Sequence, residues 1–146
     1  MRHKICLRKS KKTCNLLDEI IKHKFCKMSE SVLKEKSFLY AIKIIRIYQY
    51  LTETQREFVL SKQLLRSGTS VGAMVRESKN SESIADFQHK LGIAQKECDE
   101  SLYWLELLRK TDYISELEFI GLNSDAEELL KMIRSSILTS KSNNKQ

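Results

Sequence analysis

Proline is absent from this 146-residue chain, and glycine occurs only four times. The two residues that punctuate tight turns are thus nearly missing, which argues against any architecture built from many short strands and hairpins. Long apolar runs are missing too. The longest cover a few residues, such as Phe38 to Ile42, far short of the ~20 needed to cross a bilayer. A secretory signal needs an unbroken apolar stretch after its basic start, and here Lys4, Arg8, Lys9, Lys11 and Lys12 are followed by the mixed run NLLDEIIKHKF. These absences predict a cytoplasmic protein with no membrane partner. What remains is 41% hydrophobic and 31% charged, the balance of amphipathic helices. The length suits one domain that buries its own core without metals or disulfides. An all-α fold follows.

The net charge of +7 is unevenly placed. Residues 1–27 hold nine Lys or Arg against Asp18 and Glu19, which leaves seventeen of each sign in residues 28–146. Three of the four cysteines, Cys6, Cys14 and Cys26, share that basic segment, and Cys98 alone lies beyond it. With Met28 opening the helix-like text MSESVLKEKS, residues 1–27 read as an N-terminal extension. Residues 1–12 are expected to be a disordered basic arm, with a short helix over Asn15 to Phe25 that sets Leu16, Leu17, Ile20 and Ile21 on one side. The tetrads HKIC and HKFC (His3 to Cys6, His23 to Cys26) hold zinc-type ligands, but their spacing matches no familiar finger, so no metal and no cofactor are expected.

Beyond the extension the periodicity predicts four helices over residues 28–140 and a frayed tail over 141–146. In the first, from Glu30 to Leu51, Phe38, Ile42, Ile45, Tyr48 and Leu51 step by three and four. Tyr40, Ile44 and Ile47 widen that stripe beyond what one core needs, which points to a second contact surface. Thr54 and Glu57 have the spacing of a capping box and place the start of the second helix at Gln55. That helix has two faces. One carries Leu60, Leu64, Ser67, Val71 and Met74; the other carries Phe58, Ser61, Leu65, Gly68, Gly72 and Val75. A glycine inside a helix costs about 1 kcal/mol relative to alanine, so Gly68 and Gly72, with Ser61 and Leu65, mark a face where another backbone packs closely, most simply a neighbouring copy. Ser83 and Asp86 cap the third helix, in which Ile84, Phe87, Leu91, Ala94, Cys98, Leu102, Leu105 and Leu108 form a heptad that slips register at Leu102. Ser115 and Glu118 cap the fourth, with Leu117, Ile120, Leu130, Ile133 and Ile137 in period. Gly121 and the Ser124–Glu127 pair predict a kink near residue 122. Four such helices with short loops make an up-down-up-down antiparallel four-helix bundle.

The runs LSKQLLRSGTSVGAMVRES and DFQHKLGIAQKECDESLYWLELL, followed by DYI, resemble the four-helix-bundle proteins encoded in bacterial 23S ribosomal RNA intervening sequences, over about Ser29 to Ser140. The resemblance implies a homopentamer whose bundles form a barrel. A related branch, the accessory variability protein of diversity-generating retroelements, works with a reverse transcriptase and nucleic acid. Arg66, Gly68, Thr69, Ser70, Gly72, Ala73, Glu97, Glu100 and Trp104 stand where the family pattern has them. Met74 departs from it, because the family has asparagine after the Gly-Ala pair.

The residues themselves suggest little catalysis. His89 is the one histidine beyond the extension, and no serine or cysteine is marked as its partner. Asp86 and His89 have the i, i+3 spacing of a helical metal motif, yet a di-iron bundle needs a second copy, which is lacking. Nucleic-acid contact has two supports. Lys9, Lys11 and Lys12 lie in the basic extension, and Lys62, Arg66 and Arg76 step along the second helix and repeat around any ring. Against this, Arg66 equally suits a pairing with Glu97 or Glu100 that sets helix register, and Tyr103 and Trp104 suit packing better than base stacking. The expected function is a non-enzymatic homo-oligomeric scaffold or accessory protein associated with RNA or DNA, with a reverse transcriptase or another protein as a further partner. The rival expectation is a protein-interaction module that recruits one partner protein and has no nucleic-acid role.

Overall fold

A computed structural model describes the backbone of residues 11–143 and the side chains of residues 31–142. Four helices follow one another: α1 (Lys11–Glu53), α2 (Leu60–Ser78), α3 (Ile84–Lys110) and α4 (Glu116–Asn143). They pack in a closed ring in which α1 touches α2 and α4, and α3 touches the same two. This is the expected antiparallel four-helix bundle.

Helix α1 is one element of 43 residues, where a disordered arm, a short helix at Asn15–Phe25 and a separate start at Glu30 were expected. It runs through Met28 without a break, and residues 1–10 lie outside the described region. The stripe that faces the core is also not the expected one. Leu33, Ser37, Tyr40, Ile44 and Leu51 are buried, whereas Phe38 and Ile45 are 56% and 41% exposed. Both stripes have helical period, and period alone does not say which one a neighbour covers.

The choice is made by α2. A Cβ added to Gly68 would sit 2.8 Å from Cγ1 of Ile44, and one added to Gly72 would sit 3.3 Å from the carbonyl oxygen of Ser37. The close approach expected at these glycines is present, to a side chain at Gly68 and to a backbone only at Gly72, and it is made to α1 of the same chain. Ser61, Leu64, Ser67, Gly68, Val71, Val75 and Ser78 are buried together, so the two expected faces merge into one face that turns inward. Leu65 stays half-buried at its edge.

Helix α2 begins at Leu60, five residues later than the Thr54–Glu57 spacing suggested. Thr54 instead continues the end of α1, its N–H bonded to the Tyr50 carbonyl at 2.9 Å. Glu57 is still the cap, from outside the helix. Its carboxylate accepts from the backbone N–H groups of Val59 (2.9 Å), Leu60 (2.8 Å) and Ser61 (2.7 Å), which meets the donors that a helix start leaves free. Burial pushes this carboxyl upward, and the three N–H groups outweigh it and hold the group below its ordinary value. Scarce glycine has a further consequence at the turns: Arg56 (φ 55°) and Asp112 (φ 60°) take left-handed conformations usually left to glycine.

In α3 the seam runs Leu91, Ala94, Cys98, Ser101, Leu105, Leu108. The register does not slip, because a serine occupies the position passed over for Leu102. Tyr40 Oη and Ser101 Oγ lie 2.8 Å apart across the core, and Ser101 Oγ donates to the Cys98 carbonyl at 2.8 Å. The serine's one proton is thereby used, so Tyr40 is the donor. Burial raises the Tyr40 phenol well above its ordinary value. The expected caps of α3 and α4 are present: Ser83 Oγ accepts from the Asp86 N–H at 3.1 Å, and Ser115 and Glu118 bond reciprocally.

Helix α4 is continuous through Gly121, without the expected kink, and passes Lys141 to reach Asn143. Its core residues are Phe119, Leu122, Ala126, Leu129, Leu130 and Ile133; Leu117 and Ile120, expected inside, are 82% and 54% exposed.

Two predictions follow from this packing. Gly68→Leu will lower the urea midpoint by an amount equivalent to about 1–3 kcal/mol or more, because Ile44 is fully enclosed, whereas Gly121→Ala, with nothing within 4 Å of its Cβ, will raise stability by up to about 1 kcal/mol. Glu57→Ala will cost about 1–2 kcal/mol at neutral pH. The folded carboxyl titrates below its unfolded value of about 4.3, so this contribution is complete above that pH and fades as pH falls through the folded value. Parent and variant stabilities, measured by urea melts at falling pH, will draw together as the pH passes below the unfolded value and through the folded one.

Candidate functional site

The sequence-derived basic residues separate into three environments. Lys9 is outside the described residues, and Lys11 and Lys12 occupy the first turn of α1. Lys62 and Arg76 are exposed on α2 and have no ion-pair partner among the described residues. They are seven-residue multiples from Thr69, so the three form a stripe on the outer side of that helix.

Arg66 is bound into the bundle. Its guanidinium pairs with Glu100 and lies 3.7 Å from Glu97, both on α3. Trp104 Nε1 donates to the same Glu100 carboxylate at 3.1 Å, one helical turn on. Glu97 Oε2 is enclosed and has no hydrogen-bond donor, so Arg66 is the one cation near it among the described residues. The cluster ties α2 to α3 at a fixed register, the structural alternative weighed for Arg66 above. Tyr103 packs edge-on against Trp104 (centroids 5.0 Å apart, planes at 64°) and is 55% exposed.

Groups with chemical potential elsewhere are occupied in structure. Asp86 accepts from the Glu82 N–H (3.2 Å) and pairs with Lys90 (3.4 Å). Cys98 is sealed in the core, where burial first and the Asp99 charge second push its thiol up to about 12. It donates to the Ala126 carbonyl at 3.4 Å and is not a thiolate nucleophile at neutral pH. Among the described residues no three His, Cys, Asp or Glu side chains are grouped to hold a metal. The side chains of the two His-Cys tetrads lie outside those residues. A cleft of about 540 Å³ opens between the last turns of α1 and the α3–α4 connection, lined by Tyr50, Arg109, Tyr113 and Glu116 among others. Several of its polar groups are already engaged: Arg109 pairs with Glu116 at 3.1 Å and lies 4.7 Å over the Phe119 ring, and Glu118 caps α4.

The feature that sequence reasoning assigned to the core and the structure assigns to the surface is the outer stripe of α1, formed by Phe38, Ile42 and Ile45. Phe38 and Ile45 are exposed and Ile42 is half-buried. Phe38 is set beside α2 at the glycine contact, where its backbone nitrogen would lie 3.9 Å from a Cβ on Gly72. Excess apolar width in α1 was the available signal; the burial of Tyr40 and Ile44 decided which part of it was surplus.

The family described as 23S rRNA-intervening sequence protein matches residues 29–135. The chain belongs to that family. A solved structure of a protein of unknown function from the S23 ribosomal protein family of Bacteroides thetaiotaomicron is 47% identical, with a TM-score of 0.74, and the alignment covers 75% of this chain and 97% of that one. No curated protein matches the chain significantly. The match to this 23S rRNA-intervening sequence family starts where the bundle starts, so α2, α3 and the Arg66–Glu97–Glu100–Trp104 cluster lie within the shared part and most of the basic extension lies before it. No described helix is long and apolar enough to cross a membrane.

The cluster leads to a prediction for Arg66. Arg66→Gln will lower stability by about 1 kcal/mol or less, as for a partly exposed ion pair, and will leave nucleic-acid affinity within about twofold of the parent, since its charge is already neutralised by two carboxylates. Urea melts and a salt-resolved RNA titration on the same preparation measure the two effects.

Proposed function

We propose that this chain is a non-enzymatic, cytoplasmic scaffold or accessory protein that assembles with copies of itself, into a pentamer as the family resemblance implies, and works in association with nucleic acid. The observation that carries the assembly is the outer stripe of α1. A bundle helix needs one apolar face, and α1 has a second, with Phe38 at 56% and Ile45 at 41% exposure. Full burial of such side chains is worth about 1.5–3 kcal/mol each, and contiguous exposed apolar surface of this kind marks interaction sites. The stripe adjoins α2 where Phe38 meets Gly72, and Lys62 and Arg76 are exposed on that helix, so a ring built on the stripe would bring each copy's free cations near a subunit boundary.

The nucleic-acid half is supported by the family's description, which ties it to sequences that interrupt ribosomal RNA. The charge of the N-terminal segment and the unpaired Lys62 and Arg76 favour the same reading. The chain alternatively recruits a different protein through the α1 stripe, with no nucleic-acid role.

Light scattering on the purified protein distinguishes these readings. The parent will have a mass several times 17.1 kDa, and Phe38→Asp combined with Ile45→Asp will reduce it to a monomer that keeps its helical circular dichroism. A parent that runs as a monomer overturns the assembly and leaves the stripe to a foreign partner.

A further inference from the structure

The leading half of α1, which no other described helix accompanies, carries a net positive charge of its own. Leu33 is the first buried residue of α1 among the described side chains, and it meets Val75, Phe87, Leu91 and Ser136 at that end of the bundle. Helix α1 continues upstream for about 22 residues to Lys11, roughly 33 Å at 1.5 Å per residue. By contrast α2 ends at Ser78, and α4 ends at Asn143, about two turns past Ser136. The leading turns of α1 therefore outrun every neighbour. They hold Lys11, Lys12, Lys22, Lys24 and Lys27 against Asp18 and Glu19, while residues 28–146 balance to zero. The family match begins at residue 29, so this arm is an addition to what the relatives share.

We infer that the leading half of α1 is a polyanion-binding arm that grips the phosphate backbone of nucleic acid without reading bases, and that it acts by number, one arm per copy of the assembly. This rests on the oligomeric, nucleic-acid-associated reading above. Lysine is a compact, flexible point charge suited to phosphates, whereas the planar forks of arginine, asparagine and glutamine give the more geometrically selective contacts to base edges. Between residues 11 and 28 the cations are all lysine, and Asn15 is the one amide. A net charge of about three per arm gives a weak, salt-sensitive grip on phosphates. Tying several arms into one particle converts weak contacts into a tight one, because each later contact is intramolecular. An anionic lipid surface is the competing polyanion, since register sets Leu16, Leu17, Ile20 and Ile21 on one side. Lys24 falls within that arc, which favours the nucleic acid.

Fluorescence titrations of the full chain against two random-sequence RNAs, one spanned by a single arm and one by several, test this at low and high salt. The full chain will bind the longer RNA at least about tenfold tighter. A variant with glutamine at Lys11, Lys12, Lys22, Lys24 and Lys27, which keeps helix propensity, will lose at least about tenfold while its mass by light scattering stays that of the parent. Undiminished binding by the variant moves the grip to residues 1–10 or to the bundle and overturns the helical arm, leaving the nucleic-acid reading intact. Absence of RNA binding by both proteins overturns that reading as well. Binding to phosphatidylglycerol vesicles in place of RNA reassigns the arm to a lipid surface, and equal affinity for short and long RNA removes the dependence on number.

Discussion

Helix α2 meets α1 at two levels without a side chain of its own, and much of the molecule depends on that contact. Gly68 gives Ile44 its seat, and Gly72 lets the Ser37–Phe38 backbone come close. Each glycine forgoes helix propensity, and the return is a rotation of α1 that turns Leu33, Tyr40, Ile44 and Leu51 inward. Once Tyr40 faces the core its hydroxyl needs a partner, and Ser101 on the diagonally placed α3 supplies one. The serine in the α3 seam, the absence of a register slip there and the burial of Cys98 one turn before it all fit around the same polar bridge.

The same rotation decides what the surface offers. With Tyr40 and Ile44 inside, Phe38 and Ile45 must face out, so the exposed apolar stripe is a geometric consequence of the glycine contact. Across α2, the Arg66 cluster does for the α2–α3 pair what the glycines do for α1–α2, using charge in place of close packing. Arg66 is thereby spent, and the free cations of α2 are Lys62 and Arg76. The chain thus keeps its bundle nearly neutral and internally paired while its net charge lies in residues 1–27, whose latter part is the stretch of α1 that extends past the other described helices.

Much of this was legible beforehand. The all-α class and the four-element order follow from missing proline and scarce glycine, and the caps at Ser83 and Ser115 follow from spacings whose hydrogen bonds are local. Glu57 was recognisable as a cap, but its helix start was misplaced because a carboxylate satisfies N–H groups equally well from before the first turn. The left-handed turn residues Arg56 and Asp112 were not singled out, since arginine carries no preference for that conformation and aspartate, which adopts it more readily, is equally at home elsewhere in a turn. Gly121 misled because a glycine that breaks a helix and one that merely faces solvent look alike in a sequence.

The sequence by itself determined that the chain folds as four amphipathic helices, that two glycines on one face demand a close neighbour, that a surplus apolar stripe exists in α1, and that the charge is confined to the N-terminal segment. These are consequences of period, propensity and composition, which act locally along the chain. Only the tertiary structure decided that the close neighbour of Gly68 and Gly72 is α1 of the same molecule, that Phe38 and Ile45 are the surplus, that Arg66 is neutralised by Glu97 and Glu100, and that residues 11–27 run into the bundle as one helix with the rest of α1. Each depends on which face meets which neighbour, and helical periodicity leaves that rotation free until a partner without side chains fixes it.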